Sequence, residues 1–238
     1  MILFYIRHGD PIYDPDSLTA LGKRQAEAVA KRLALYGVDR IFSSTSNRAI
    51  QTAEPTSELT KKEINLLDFC NEAHAWNEFT ILNENGDRQW LFHNNKAIQL
   101  FMSREIQELG KQWYDHPVFK DDRYRQGVER INRETDALLL SLGYEHIRED
   151  GIYKAVKPTD ERVALFAHQG FGISFLSSLL DIPYPQFSAH FDMGHTGMTV
   201  IEFQDHDGIV IPKVLMLAND SHIYKEGLPT LYNNEIRL

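Results

Sequence analysis

Five side chains of this sequence have the chemistry needed to transfer a phosphoryl group. An arginine fork can hold phosphate oxygens, a histidine can attack phosphorus, and a carboxyl group can protonate the leaving oxygen. The sequence supplies these groups at Arg7, His8, Arg48, Glu72 and His168. Each of them alone would more often be an ordinary core or surface residue, so it is the joint pattern that indicates phosphoryl transfer without a metal ion.

A zinc site is the competing use of the two histidines, His8 and His168. Zinc in proteins is held mostly by thiolate and imidazole groups. The sequence offers no set of thiolates and no close pair of histidines for this purpose, and its neighbouring arginines repel a cation. We therefore predict no metal site and no cofactor.

Two of the candidate histidines follow apolar runs that predict buried strands. Residues 1–6 are continuously apolar and end on Arg7 and His8, and residues 162–167 repeat this pattern before His168. Runs without polar alternation are typical of strands covered on both faces, and ligands of open α/β sheets bind at the carboxyl ends of such strands. The two histidines should therefore lie at the same edge of one sheet.

Along the chain, the second and third strands are predicted at residues 38–42 and 63–67. Arg48 would lie in the first turn of a helix that follows the second strand and runs to about Leu59, where free N–H groups attract anions. Glu72 follows the third strand. Four strand ends would thus bring the candidate residues together.

The remaining elements complete an α/β pattern. We expect a loop at 10–16, a helix from Ala20 with Thr19 as its N-cap and Gly37 as its C-cap, helices at 127–142 and 171–180, and strands at 199–203 and 210–217. The predicted fold class is α/β, with three layers, a mostly parallel sheet flanked by helices on both faces, and an inserted helical cap. We interpret residues 1–238 as a single domain, with the cap insertion at about 77–126.

Composition limits the classes of partner. The formal net charge of -9 argues against nucleic acid or an anionic membrane as the main partner, since both attract basic proteins. The single cysteine, Cys70, allows no intramolecular disulfide, and neither a hydrophobic run of transmembrane length nor a signal peptide is recognisable. We expect a cytoplasmic protein, and the oligomeric state stays open.

Several motifs, taken in order, resemble the histidine phosphatase superfamily, in the branch that includes cofactor-dependent phosphoglycerate mutase. The matching residues are Arg7-His8-Gly9, Leu18-Thr19 with Gly22 and Gln25-Ala26, Ser43-Ser44 with Arg48-Ala49 and Gln51-Thr52-Ala53, Glu72 with Trp76, Ala167-His168-Gln169-Gly170, the loop His195 to Thr199, and Asn219-Asp220-Ser221-His222. The resemblance implies that His8 is a nucleophile that forms a phosphohistidine. It also implies that Arg7, Arg48 and His168 bind the phosphoryl oxygens and that Glu72 donates a proton.

The chain departs from the family pattern near the expected substrate. Asp10-Pro11 stands where many members have Glu-Thr, Asp14 where many have Asn, and Gln169 where a second glycine is usual, while His195 replaces an Asn. We expect Asp14, Gln169 and His195 to contact the substrate, with the Gln169 backbone N–H near the phosphate. Ser43 is a further candidate for the rim of the pocket.

Three functions are compatible with these residues. The favoured one is a metal-independent phosphatase that hydrolyses a small phosphorylated metabolite. A phosphoglycerate-type mutase is the alternative, but the segment after Glu72 contains no Lys or Arg before Arg88 to bind a second anionic group, and Trp76, Phe79 and Ile81 suggest a pocket unfavourable to carboxylates. A non-catalytic protein that binds phosphorylated ligands is the third.

Overall fold

The computed structural model describes residues 1–230, and within this range thirteen strands form one large sheet and three small ones. The strands are β1 (Ile2–Arg7), β2 (Pro11–Tyr13), β3 (Asp16–Leu18), β4 (Arg40–Ser44), β5 (Ile64–Leu67), β6 (Thr80–Leu82), β7 (Arg88–Trp90), β8 (Tyr144–Ile147), β9 (Ile152–Ala155), β10 (Arg162–Ala167), β11 (Met198–Glu202), β12 (Ile209–Val210) and β13 (Lys213–Asn219).

Helices make up most of the rest of the described chain. The α-helices are α1 (Ala20–Tyr36), α2 (Asn47–Thr60), α3 (Glu72–Glu78), α4 (Asn95–Phe101), α5 (Arg104–Leu109), α6 (Asp122–Ser141), α7 (Gln169–Leu180), α8 (Tyr184–His190) and α9 (Ser221–Lys225). Short 3₁₀ helices span Asp68–Cys70, Leu91–His93, Gly110–Asp115 and Pro117–Phe119.

The large sheet has six strands in the order β13-β11-β1-β10-β4-β5. The pairs β1–β10, β10–β4 and β4–β5 are parallel, whereas β11 pairs antiparallel with both β1 and β13. The two apolar strands β1 and β10 therefore lie side by side at the centre, and their carboxyl ends meet at one edge. The α/β fold with a mostly parallel sheet is confirmed.

Both faces of the sheet are covered because successive side chains of a strand point to opposite sides. Phe4 and Ile6 of β1 pack in a cluster with residues of α1 and α2. Leu3 and Tyr5 pack in a second cluster with residues of α6 and α7. The sheet is thus the middle of three layers.

The predicted helix after β1 is α1, and its N-cap is Thr19, whose side chain accepts a hydrogen bond from the Gly22 N–H at 3.0 Å. The loop expected at 10–16 is instead part of a hairpin formed by β2 and β3.

The helix expected from Gly127 begins five residues earlier, at Asp122, because Asp121 caps it. Strands β8 and β9, which pair antiparallel with each other, were missed because their segment carries charged residues rather than a clear period of two.

The segment expected to form a helical cap contains strand as well as helix. It includes the β6–β7 hairpin, the short helices α4 and α5, and three 3₁₀ helices. Its aromatic residues Phe101 and Trp113 are fully buried in the same cluster as α6 and α7. The interpretation of 1–238 as one domain with an insertion at 77–126 stays a prediction. Within residues 1–230, no helix is both long and apolar enough to cross a bilayer.

Candidate active site

His8 lies directly after β1 and is almost completely buried. Its Nδ1 is 2.7 Å from the Gly9 carbonyl oxygen. Because a carbonyl only accepts, Nδ1 carries the proton and Nε2 keeps its lone pair. Burial, together with the charges of His168 and Arg7, holds the pKa of His8 well below its usual value. The result is a neutral imidazole with a nucleophilic nitrogen.

His168 follows the neighbouring strand β10 and precedes α7. Its ring centroid is 5.2 Å from that of His8, and its Nε2 is 2.8 Å from the Ser44 hydroxyl at the end of β4. Burial and the nearby Arg48 lower its pKa well below the usual value, so the ring is neutral in the free protein. The Tyr5 hydroxyl donates to the His168 carbonyl and fixes the turn into α7.

The two candidate arginines reach this centre from β1 and α2. Arg7 is 5% exposed and donates to the Met193 carbonyl at 2.6 Å. Arg48 donates to the Asp16 carboxylate at 2.7 Å, and its Nη2 is 3.9 Å from Glu72 Oε2. Fixed guanidinium groups at these positions make the edge of the sheet cationic and suited to a phosphoryl group.

Glu72 is the first residue of α3 and bridges to the start of α7. Its Oε1 accepts from the backbone N–H groups of Gly170, at 2.7 Å, and Phe171, at 3.2 Å. Its Oε2 is 3.3 Å from His168 Nδ1. Burial raises the pKa of Glu72, although Arg48 and Arg7 oppose that rise. A carboxyl group with a raised pKa is the kind that retains a proton for donation.

His8, Glu72 and His168 also satisfy a geometric test for a metal site, since one ligand atom from each lies within 4.8 Å of the others. The two histidines are far apart in the sequence, and the parallel pairing of β1 with β10 brings their rings together at the edge of the sheet where they were expected. The charges of Arg7 and Arg48 act on the same rings, where they lower the pKa of His168. They oppose a bound cation in the same way, so the fit to a metal ion is geometric and not electrostatic.

Of the predicted rim residues, His195 lies nearest the centre. Its Nε2 accepts from Arg7 Nη2 at 3.1 Å, its ring is 5.7 Å from that of His8, and burial with the Arg7 charge lowers its pKa to about 4. Gln169 begins α7, and its side-chain amide donates to Asp192. Asp14 is exposed on the turn of the β2–β3 hairpin. Its predicted contact with substrate stays a prediction.

Ser43 is completely buried and donates to the Ser44 carbonyl, so the expectation that it lies on the rim was wrong. The alternation of strand β4 explains the error: the next residue, Ser44, is the one whose hydroxyl contacts His168.

Sequence reasoning missed three further residues of the site. Asp16 pairs with Arg48 from the β2–β3 hairpin, and Thr52 of α2 accepts a hydrogen bond from the Gly9 N–H at 3.0 Å. Trp90 lies against Gly170, since a Cβ built on that glycine would be 2.4 Å from the indole and 2.7 Å from Glu72 Oε1. Thr52 belongs to the motif Gln51-Thr52-Ala53 and Asp16 lies just before the motif Leu18-Thr19, so a role for both could have been suspected, but Trp90 is brought in by a distant hairpin and has no local signal.

An open cavity of about 700 Å³ leads from Arg48 and Glu72 to the surface. Its lining consists of Tyr13, Asp16, Thr45, Ser46, Asn47, Arg48, Asn71, Glu72, Ala73, Trp76 and Trp90. Phe79, which was expected to shape this pocket, is instead 1% exposed in the core.

Comparison with known families agrees with the motifs. Residues 3–97 match the model of the histidine phosphatase superfamily (branch 1). No curated protein matches the chain. The resemblance to this superfamily is confirmed, and the matched range includes Arg7, His8, Arg48 and Glu72.

Solved structures share the fold at low identity. A histidine-to-alanine variant of a phosphoserine phosphatase from Entamoeba histolytica, in complex with phosphoserine, is 20% identical with a TM-score of 0.59, over 93% of this chain and 98% of that chain. A mycobacterial glucosyl-3-phosphoglycerate phosphatase with VO3 is 22% identical with a TM-score of 0.56, over 90% of this chain and 97% of that one. A protein described as mycobacterial hydrolase 1 is 19% identical with a TM-score of 0.58, over 92% and 98%.

Proposed function

We propose that this protein is a metal-independent phosphatase that hydrolyses a small phosphomonoester through a phosphohistidine on His8. The observation that carries the proposal is the state of that histidine. Its Nδ1–H is bound to the Gly9 carbonyl at 2.7 Å and its pKa is lowered, so Nε2 is neutral and nucleophilic at ordinary pH. One nitrogen or oxygen atom from each of His8, Glu72 and His168 lies within 4.8 Å of the other two, so a single phosphoryl group can contact all three side chains.

In the first step, Nε2 of His8 attacks phosphorus and forms the P–N bond while the P–O bond to the alcohol breaks. Arg7, Arg48 and His168 hold the three remaining phosphoryl oxygens and stabilise their charge. Glu72, whose pKa is raised by burial, gives a proton to the leaving oxygen. The alcohol departs neutral, and Glu72 is left as a carboxylate.

In the second step, the Glu72 carboxylate accepts a proton from a water molecule whose oxygen attacks the phosphohistidine. The P–N bond breaks, phosphate is released, and His8 and Glu72 return to their starting protonation states. The same residue thus serves as acid and then as base, as microscopic reversibility requires. No step requires a metal, because Arg7 and Arg48 supply the positive charge and His168 adds a hydrogen-bonding group.

The lining of the cavity favours hydrolysis over the mutase alternative. A phosphoglycerate mutase must bind the carboxylate of its substrate, which needs a cation outside the phosphoryl site. Arg48 is the one cationic side chain among the described residues that line the cavity, and Asp16 already pairs with it at 2.7 Å. The proposed substrate accordingly carries no second anionic group near the phosphate.

The test is turnover of p-nitrophenyl phosphate by the wild type, by His8→Ala and by His206→Ala, which changes an exposed histidine of the β12 region as a matched control. We expect phosphate release and an acid-labile phosphoenzyme from the wild type and the control, and neither from His8→Ala. Full activity of a folded His8→Ala protein would refute the mechanism. Absence of turnover in the wild type on a panel of phosphomonoesters would favour a non-catalytic, ligand-binding protein.

Incubation with 3-phosphoglycerate, with and without 2,3-bisphosphoglycerate, tests the mutase alternative directly. We expect slow release of phosphate or no reaction. Rapid formation of the 2-isomer without phosphate release would overturn the hydrolase assignment.

A further inference from the structure

The cavity beside the phosphoryl site has an aromatic wall built from residues of two different elements. Trp76 of α3 and Trp90 of β7 meet edge to face with their ring centroids 4.9 Å apart. Trp90 in turn stacks on Phe92, which is 7% exposed, at 5.3 Å. Because each indole is supported by another ring, the wall is ordered before a ligand arrives, and little side-chain entropy is lost on binding.

The part of the lining that the start of α2 contributes is polar, and its charged member, Arg48, is paired with Asp16. Ser46 and Asn47 lie at the start of α2, and the Ser46 side chain makes no capping hydrogen bond. Hydroxyl and amide groups both donate and accept hydrogen bonds, as the hydroxyl groups of a polyol do. The Arg48 charge is balanced by Asp16 at 2.7 Å.

From this pairing of an aromatic wall with neutral polar groups, we infer that the leaving group is a sugar ring, so that the substrate class is a phosphorylated monosaccharide. The apolar C–H face of the ring would pack on Trp76 and Trp90, and its hydroxyl groups would bond to Asn47, Ser46 and the Asp16 carboxylate. A carboxylate-bearing leaving group would instead meet Asp16 and Glu72, and the one cation among the described lining residues, Arg48, is already paired with Asp16. This inference rests on the proposed phosphatase function, because it describes the alcohol that the phosphoryl site releases.

Binding to the His8→Ala protein tests the inference without requiring turnover. The ligands are glucose 6-phosphate, 3-phosphoglycerate, phosphocholine and inorganic phosphate, measured by isothermal titration calorimetry. We expect glucose 6-phosphate to bind about tenfold tighter than inorganic phosphate, which is the scale of one or two good contacts with aromatic rings. The other two esters should bind no tighter than inorganic phosphate.

A second substitution locates the source of the preference. Adding Trp76→Ala to the His8→Ala protein should remove most of the tenfold ratio, whereas Trp76→Phe, which keeps a ring, should retain part of it. Adding Tyr224→Ala, an aromatic residue that is 85% exposed and outside the cavity lining, should retain all of it. Circular dichroism confirms that each variant is folded, and Trp76→Phe provides the decisive reading if Trp76→Ala does not fold.

The outcomes separate this inference from the proposed function. If the wild type hydrolyses p-nitrophenyl phosphate but glucose 6-phosphate binds no tighter than inorganic phosphate, the sugar subsite is refuted and the phosphatase stands. Tightest binding of phosphocholine would also refute it, because the rings would then form a cage for a cation. If no ester is hydrolysed yet the Trp76-dependent preference is present, the subsite stands and the catalytic proposal fails.

Discussion

Replacement of His222 by glutamine should make the protein less sensitive to acid. His222 of α9 is 3% exposed, and its Nε2 lies 3.1 Å from the Thr196 hydroxyl. Arg32 donates to Nδ1 at 3.5 Å, which leaves Nε2–H to donate to Thr196. Protonation of Nδ1 would place a second positive charge against Arg32. Burial and this arginine lower the pKa of His222 to about 4.

The size of the effect follows from linkage between protonation and folding. The unfolded chain binds a proton at a pKa of about 6.5, so the neutral ring favours folding above that pH, and its contribution falls as the pH drops from about 6.5 toward about 4. Between about pH 8 and about pH 5 the loss in the free energy of unfolding from this one residue is about 2 kcal/mol. Glutamine can make both hydrogen bonds, with its amide N–H on Thr196 and its oxygen facing Arg32, and it does not titrate.

The assay is urea unfolding followed by tryptophan fluorescence at both pH values, for the wild type, for His222→Gln and for His206→Gln as an exposed control. The other buried histidines titrate in all three proteins, so the difference between wild type and His222→Gln isolates this side chain. That difference should change by about 2 kcal/mol in favour of the variant on going to the lower pH. A difference that stays constant within about 0.5 kcal/mol would refute a neutral, buried His222.

Four further predictions concern catalysis. Glu72→Gln should lower kcat about 100-fold or more on an alkyl phosphate but much less on p-nitrophenyl phosphate, whose leaving group needs little protonation, and equal losses would exclude Glu72 as the acid. Burial lowers the pKa of His8, so this residue stays neutral as the pH rises, whereas Glu72, whose pKa is raised by burial, ionises. Wild-type activity on the alkyl ester should therefore fall with rising pH, and initial rates measured over a pH series should show that Glu72→Gln lacks this fall. Arg48→Lys keeps the charge but loses the planar guanidinium, so kcat/KM should drop about tenfold or more. An unchanged value would mean that Arg48 does not bind the phosphoryl group through two hydrogen bonds at once. Dialysis against EDTA should leave kcat/KM unchanged, whereas a loss restored by Zn²⁺ would assign the cluster of His8, Glu72 and His168 to a metal.

The parts of the fold that were predictable are those whose signal is local. Continuous apolar runs predicted β1 and β10, and a threonine before a helical period predicted the start of α1. The convergence of His8 and His168 could be expected because both follow parallel strands, and the structure brings their rings to 5.2 Å. Their chemical roles stay predictions.

The remaining features depend on tertiary contacts that no local pattern encodes. Asp16 reaches Arg48 only because β2 and β3 pair into a hairpin, and Trp90 reaches Gly170 only because β7 folds back from the cap segment. Whether Ser43 or Ser44 contacts His168 depends on the register of β4, and a shift of one residue reverses the answer. Such details follow from packing over long sequence separations.

The Trp90 indole and the Glu72 carboxyl group both lie against Gly170, and this shared position links the shape of the cavity to the environment of the acid. The indole and the carboxyl group line the same cavity, so the size of the side chain at position 90 affects how much water can reach Glu72. A smaller residue at this position would widen the cavity and also hydrate Glu72, which would bring its pKa back toward the value of an exposed glutamate. Evolution of a new substrate preference through the β6–β7 hairpin would therefore move the pH optimum with it, and libraries built on this hairpin need to be screened at more than one pH.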